Sequence, residues 1–388
     1  MRILFLHTAR EWSGSARAFA VAARGLAARG YNVTFLAEPH STVEQQASRM
    51  ADVASRMGGE DVSASKRDVA PFEVVPFSCS GSAPGCAWRL RHLFRRWDAD
   101  VVLVHTNHEH LVASLACWFG RRGRIIRRVP SGMRLSLSFG AKIARWLTDT
   151  EYLFATDLDM RVAGLSRDTK RAVAQPGVDV SRYPDRAAVT ETPRSEDIRY
   201  IICVYDPESR GRAATAIRTV AMLAPRHPYL RLIIFGAGSD SEDLRMQAAA
   251  LDVMHLVSFL GERDDHLTLM RDAELGWVVA EGDTAAFGIL DLMALGVPVI
   301  AQEGSVAESY VANLISGSLV PADDAATTAA TVVGLLVSEE KRQAMGAAAR
   351  VRVTREFPES QFVDAFEAAL RGREARSRQS SRDAEKKK

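Results

Sequence analysis

Apolar residues recur along the chain in two alternating patterns. Short runs rich in apolar residues stand at Ile3–Leu6, Val33–Leu36, Glu73–Pro76, Val101–Val104, Ile125–Val129 and Leu153–Ala155, of which Ile3–Leu6 and Val101–Val104 are unbroken through four residues. Between them lie stretches with helical spacing, of which the Ala-rich segment ending at Ala28, just before Gly30, is the clearest. Short apolar runs of this kind suit strands buried on both faces, and helices between them supply the crossovers of a parallel sheet. The first run is followed by a Gly/Ser turn, Trp12-Ser13-Gly14-Ser15. Residues 40–70 are polar and Ser-rich, so the pattern predicts a long loop or mobile helix there.

The alternation restarts in the second half. Strands are predicted at Tyr200–Val204, Leu232–Phe235, Leu256–Phe259, Leu275–Val279 and Val297–Ala301, and helices at Arg212–Leu223 and Phe287–Leu295. The segment Pro184–Glu196 carries Pro, Thr, Ser and charge with little apolar content, as a linker would. The expected organisation is therefore α/β, with two doubly wound Rossmann-like domains facing across a cleft. The first spans residues 1–185 and the second 197–360, followed by a C-terminal helix and basic tail over 361–388. Ligands of such sheets bind outside the carboxyl ends of the strands.

Composition changes this picture little. The chain has 388 residues, 47% hydrophobic and 25% charged, which excludes a disordered protein and leaves room for two cores. The formal net charge of +2 gives no general argument for nucleic acid. Residues 1–190 hold 27 basic and 18 acidic residues, whereas residues 191–388 hold 23 and 30, so the halves differ in sign. Four cysteines (Cys79, Cys86, Cys117, Cys203) lack zinc-ligand spacing and are expected to be reduced and structural. No apolar run reaches 18 residues, and the run of four before His7 is too short for a signal-peptide core. A cytoplasmic chain, in places at the inner face of a membrane, is expected.

Several motifs then appear in a fixed order. Phe235-Gly236-Ala237-Gly238 follows a strand, and Val257-Ser258-Phe259-Leu260-Gly261 comes next. Phe287 to Ala301 reads FGILDLMALGVPVIA. Ser318-Leu319-Val320-Pro321 and the stretch Met345–Phe357 complete the series, and Pro176-Gly177-Val178-Asp179 precedes the linker. This series resembles the GT-B glycosyltransferases, family 4 in particular, over nearly the whole chain. The resemblance implies a hexosyltransferase using a nucleotide-sugar donor, with no cofactor and no metal.

What the resemblance implies for single residues can be set beside their chemistry. The donor's diphosphate suits a helix N-terminus. The expected helix start at Phe287 and Gly288 would supply those amides, with Gly288 permitting close approach. The family's Glu-x7-Glu pair falls on Asp283 and Asp291, each a methylene shorter. The first would meet the sugar and the second the ribose. Glu281 competes with Asp283, which could equally be a helix cap. The family's phosphate-clamping Lys falls on Arg210, followed by Gly211, and its partner Arg position is Tyr205. Arg212 and Arg263 are the nearest substitutes. Gly236, Gly238, Glu262 and Arg263 complete the donor set. On the acceptor side the resemblance points to Gly14 and Ser15 in the first turn, His105 and His108 after a strand, and Arg128. Asp283 and His105 are the catalytic candidates, His105 because imidazole exchanges protons near neutral pH. A structural histidine would look the same.

Front-face substitution with retention is what the resemblance implies for the reaction, the protein contributing position and electrostatics. The acceptor would be a lipid-linked or surface-polysaccharide glycan. His-Glu-His at 108–110 is too compact for a usual metal site. Departures at Ala16, Pro130, Tyr205 and the two aspartates support an alternative, a catalytically degenerate protein that keeps the fold for binding a partner. One more segment stands out. Cys86–Trp97 interleaves Trp88, Leu90, Leu93, Phe94 and Trp97 with Arg89, Arg91, Arg95 and Arg96. It reads either as a basic helix resting on anionic lipid or as a domain helix with solvated arginines. Arg121, Arg122, Arg124, Arg127 and Arg128 add charge in the same half.

Overall fold

A computed structural model describes residues 1–57, 72–120, 123–133, 135, 138–166, 168–184 and 198–372. Most of the expected linker and the end of the basic tail lie outside these residues. The chain forms two units: Met1–Gln175 with the stretch from Ser360 on, and Pro176–Glu359.

The first unit runs β1 (Arg2–His7), α1 (Gly14–Ala28), β2 (Asn32–Ala37), α2 (Thr42–Met57), β3 (Glu73–Pro76), α3 (Ala83–Trp97), β4 (Val101–Val104), α4 (Asn107–Gly120), β5 (Arg124–Val129), α5 (Phe139–Leu147), β6 (Thr150–Phe154), α6 (Asp157–Val162) and β7 (Arg171–Val173). The strand order is β3-β2-β1-β4-β5-β6-β7, with every pair parallel. Chain order reverses between β1 and β4, so the loops after these two strands diverge there. Solid burial explains the strands: all four residues of β4 are buried.

The second unit contains β8 (Arg199–Val204), α7 (Arg210–Leu223), β9 (Leu230–Phe235), α8 (Glu242–Ala250), β10 (Val257–Phe259), α9 (His266–Asp272), β11 (Leu275–Val278), α10 (Gly282–Ala294), β12 (Val299–Gln302), β13 (Gly317–Val320), α11 (Ala325–Val337) and α12 (Glu339–Glu356). Its sheet is parallel in the order β10-β9-β8-β11-β12-β13, with the reversal between β8 and β11.

The last helix, α13 (Glu359–Arg371), packs on the first unit. A Cβ on Gly25 of α1 would collide with Val363, so glycine lets the two helices touch. The Phe366 ring lies tilted against Phe5 of β1, with centroids 6.4 Å apart. Arg29 pairs with Asp364 at 2.6 Å and with Glu367 at 2.5 Å, and Tyr31 donates to Glu367 at 3.0 Å.

Of the loop and helix readings for residues 40–70, the helix holds over Thr42–Met57, where Val43, Ala47 and Ala51 recur every fourth position and are buried. Its remainder, residues 58–71, lies outside the described residues. Two expectations are corrected. The helix expected over Phe287–Leu295 begins at Gly282, five residues before Phe287, with Glu281 at its N-cap. Finally, Cys79 and Cys86 form a disulfide that ties the loop after β3 to the first turn of α3, while Cys117 and Cys203 are buried thiols. The spacing of seven hides this, since only the turn through Ser82 brings the two together.

Candidate active site

Three loops interlock at the carboxyl edge of the second sheet. Gly236 leaves β9 with φ +126°, and a Cβ there would overlap the Tyr205 carbonyl oxygen. Glycine is therefore required for the loop after β9 to lie against the loop after β8. The Gly236 amide donates to the Gly261 carbonyl at 2.9 Å, and the Gly261 amide to Ser239 Oγ at 3.0 Å. Gly238, with φ +70°, faces Pro207.

Asp206 joins this cluster to α10. Its carboxylate accepts from the Ser209 amide at 2.9 Å and from the Glu281 amide at 2.7 Å, and Ser209 Oγ accepts from the Asp206 amide in return. Burial pushes the Asp206 carboxyl above its ordinary value. Arg212 adds a second tie, 2.7 Å from Glu281. The loops after β8 and β11, which flank the reversal in this sheet, are thus held together by Asp206 and Arg212.

The expected donor residues distribute unevenly over this edge. Arg210 opens α7, is 57% exposed, and contacts Asp243 at 2.7 Å. Burial raises the pKa of the Tyr205 phenol and outweighs Arg210, which lies close enough to lower it. Gly211 has open space where a side chain would stand. Arg263 is exposed and forks onto Asp265 at 2.7 and 2.6 Å, beside the exposed Glu262. Asp283 sits buried in the first turn of α10.

Phe287 and Gly288 are corrected. With α10 starting at Gly282, their amides belong to the second turn and serve the helix itself. The first-turn amides are those of Gly282, Asp283 and Thr284. Gly288 is glycine because a Cβ would press into the Val204 side chain at 2.9 Å, so its close approach is to β8. Asp291 lies in the third turn of α10, is buried, and accepts from the Tyr183 hydroxyl at 2.6 Å. No pattern within α10 announces Tyr183, which stands 108 positions away.

In the first unit, the reversal between β1 and β4 gathers a second group. His105 follows β4, and its Nδ1 lies 2.8 Å from Oε2 of Glu109, the third residue of α4. The fully buried Glu109 also accepts from the Thr8 amide (2.7 Å), Thr8 Oγ1 (2.9 Å), the His105 amide (3.0 Å) and the Thr106 amide (3.1 Å). Burial alone would raise its pKa, but His105 and the other donors outweigh this and hold the carboxyl far below its usual range. The His7 ring stacks on His105 with centroids 4.3 Å apart. Burial, aided by His105, lowers the His7 pKa to about 3.

Gly14 and Ser15 form the first turn of α1 behind the Ser13 cap, and α1 sets the edge of Phe19 against His105 at 5.6 Å. His108 Nε2 lies 3.6 Å from Cys79 Sγ. Arg128 does not belong to this group: it is fully buried and lies over the Phe362 ring of α13 at 5.8 Å. Strand alternation sends the neighbouring Arg127 to the opposite face, where it contacts Asn107 at 2.8 Å and His110 at 3.3 Å. Burial also lowers the His110 pKa to about 3, with Arg127 and Arg145 contributing. His7 and Glu109 escaped the sequence reading. Thr106-Asn107-His108-Glu109 is a capping-box pattern that could have pointed to Glu109.

Two family models divide the chain between them. Residues 12–182 match Glycosyltransferase Family 4, and residues 188–352 match Glycosyl transferases group 1. The chain belongs to the family 4-like GT-B glycosyltransferases. A phosphatidyl-myo-inositol mannosyltransferase of Mycobacterium leprae is 29% identical to this glycosyltransferase over 327 residues, covering 79% of this chain and 85% of the relative. The enzyme of the same name from Mycolicibacterium smegmatis is 32% identical over 183 residues, 46% of each chain, so the match spans less than half of that relative. Among solved structures, a glycosyltransferase from Rickettsia africae superposes with a TM-score of 0.75 at 14% identity, covering 96% of this chain and 98% of its own. Anabaena HepE, in complex with UDP and glucose, gives 0.74 at 16% identity, covering 95% and 99%. These likenesses bear on the fold.

Proposed function

We propose that this glycosyltransferase moves a hexosyl group from a nucleotide sugar to a hydroxyl of a lipid-linked or surface-polysaccharide glycan, with retention and without a metal. The observation that carries the reading is the interlocked edge of the second sheet. Gly236 pressed on Tyr205, and Asp206 tied to the N-cap of α10, build a rigid rim from the loops on both sides of the strand reversal. Arg210 stands at that rim with its guanidinium on the surface. A diphosphate would draw Arg210 from Asp243 and meet the first turn of α10, whose dipole favours an anion. Asp283 in that turn would face the sugar. His105 in the first unit would meet the acceptor hydroxyl.

Calorimetric titration with UDP-, GDP-, ADP- and dTDP-sugars tests the donor half. The wild type is expected to bind at least one of them. Arg210→Ala is expected to weaken that binding by roughly 1.5–3 kcal/mol, the scale of a charge-assisted hydrogen bond. Equal affinity in the variant would remove Arg210 from the donor site. The reading of a degenerate protein is favoured by one feature, the occupation of Asp291 by Tyr183. Absence of any nucleotide affinity in the wild type would put that reading first.

A lipid-linked acceptor is supported by α3, where Trp88 is 60% exposed beside exposed Arg89, Arg95 and Arg96 while Leu90 and Phe94 are buried. Arg124, Arg127 and Arg128 do not add to that surface. Arg124 caps the carbonyls of Ala369 and Leu370, and the other two are buried. Arg121 and Arg122 lie outside the described residues. No helix among the described residues is long and apolar enough to cross a membrane. Sedimentation with vesicles should show binding to anionic lipid and little to neutral lipid, with Trp88→Ala reducing it. Equal, negligible sedimentation in both would remove the membrane contact.

A further inference from the structure

Glu109 does more than start a helix. The amides of His105 and Thr106, with the Glu109 amide returned to Thr106 Oγ1 at 3.1 Å, satisfy the beginning of α4 as a capping box does. Such a cap needs neither the loop after β1 nor an imidazole. Yet Glu109 also takes both Thr8 donors and stands 2.8 Å from His105 Nδ1.

Glu109 Oε2 stands within 2.8 Å of the buried His105 Nδ1 but off the direction of a well-aligned N–H bond, so its pull is electrostatic: an ionised carboxylate beside Nδ1 favours the tautomer that carries the hydrogen there and leaves the lone pair on Nε2. The charged and titratable groups around the ring are few. β1 contributes His7, kept neutral by burial, α4 contributes Glu109 itself, and β5 contributes Arg127, which acts on Glu109. α1 presents only the edge of Phe19. We infer that Glu109 is a positioning residue of the acceptor site: it fixes His105 in the Nδ1–H tautomer, so that Nε2 accepts the hydrogen bond of the incoming hydroxyl. The inference rests on the acceptor-side reading of His105 above, and supplies the group that orients it.

Long-range proton–nitrogen spectra of the full chain labelled at histidine test this directly, with His105 assigned through His105→Asn. In the wild type, Nδ1 should be protonated and Nε2 bare. Glu109→Gln should give a mixture of tautomers. Thr106→Ala breaks the cap but leaves the ring contact, and should keep the wild-type spectrum. Turnover with GDP-mannose and phosphatidylinositol vesicles adds a kinetic readout. Glu109→Gln should raise the acceptor KM about tenfold, with donor KM changed less than about twofold. Thr106→Ala should move neither. A wild-type Nε2–H tautomer would overturn the inference, as would a Thr106→Ala spectrum matching Glu109→Gln. The wild-type and Thr106→Ala spectra decide even if Glu109→Gln does not fold. No turnover by the wild type with this pair would reject that substrate choice alone.

Discussion

Gly236→Ala is expected to destabilise the second unit by about 3–5 kcal/mol, as an overlap of backbone with backbone does. Two costs combine at this position. A Cβ at φ +126° is strained by itself. It would also overlap the Tyr205 carbonyl oxygen, which cannot rotate away as a side-chain tip could. Relief requires the loops after β8 and β9 to part, which strains the hydrogen bond from the Tyr205 amide to the Phe235 carbonyl. Gly238→Ala is the control. Its Cβ would meet only Pro207 Cγ at 3.5 Å, so left-handed strain of about 1 kcal/mol is all it should cost. Urea unfolding followed by circular dichroism measures both. A Gly236→Ala midpoint equal to that of Gly238→Ala would show that the two loops yield easily. The same variant should lose nucleotide binding even where it remains folded.

The second large effect is on acid stability. His7 and His110 are held at about 3 in the folded chain, against an ordinary 6.5. A base with a depressed folded pKa binds its proton in the unfolded chain first. Below about pH 6.5 the unfolded state therefore gains protons that the folded state refuses, and stability falls with falling pH until about 3. Each group withdraws about 1.4 kcal/mol per pH unit within that window. From pH 7 to pH 5 the two together should remove about 3–4 kcal/mol. Glu109 acts in the same direction further down, since its stabilising charge is lost only as pH falls below the ordinary carboxylate range. Unfolding free energies between about pH 7 and 5 test this, with His110→Gln expected to halve the slope. A flat wild-type profile would mean that these rings are not buried neutral bases.

Much of the fold could be read before any coordinates. The solid run Val101–Val104 has no polar position to face solvent, and a strand buried on both sides in a parallel sheet is its simplest accommodation. Gly236 was legible for a related reason, since a glycine after a strand marks a close approach. Legibility failed where local composition contradicted position. Gly282-Asp283-Thr284 has the composition of a loop, yet Glu281 caps a helix there, and the error carried the supposed phosphate amides to Phe287 and Gly288. It failed again where the partner is remote. Asp291 was rightly singled out as a carboxylate in an apolar helix, but nothing in its neighbourhood shows that Tyr183 holds it. Glu109 sits inside His-Glu-His, a run whose compact spacing speaks only to metal ligation and hides its capping role. The physical signal was its distance of three from Thr106.

The placement of α13 has a consequence for synthesis. Phe5, Gly25 and Arg29 are translated more than 330 residues before their partners Phe366, Val363 and Glu367. Pro176–Glu359, by contrast, is one uninterrupted stretch. At the ribosome the second unit can close on itself as it emerges, whereas the first must wait with an apolar seam open beside α1. That seam, rather than either sheet, is where a chaperone would be needed during translation and where a prematurely terminated chain would stick to its neighbours.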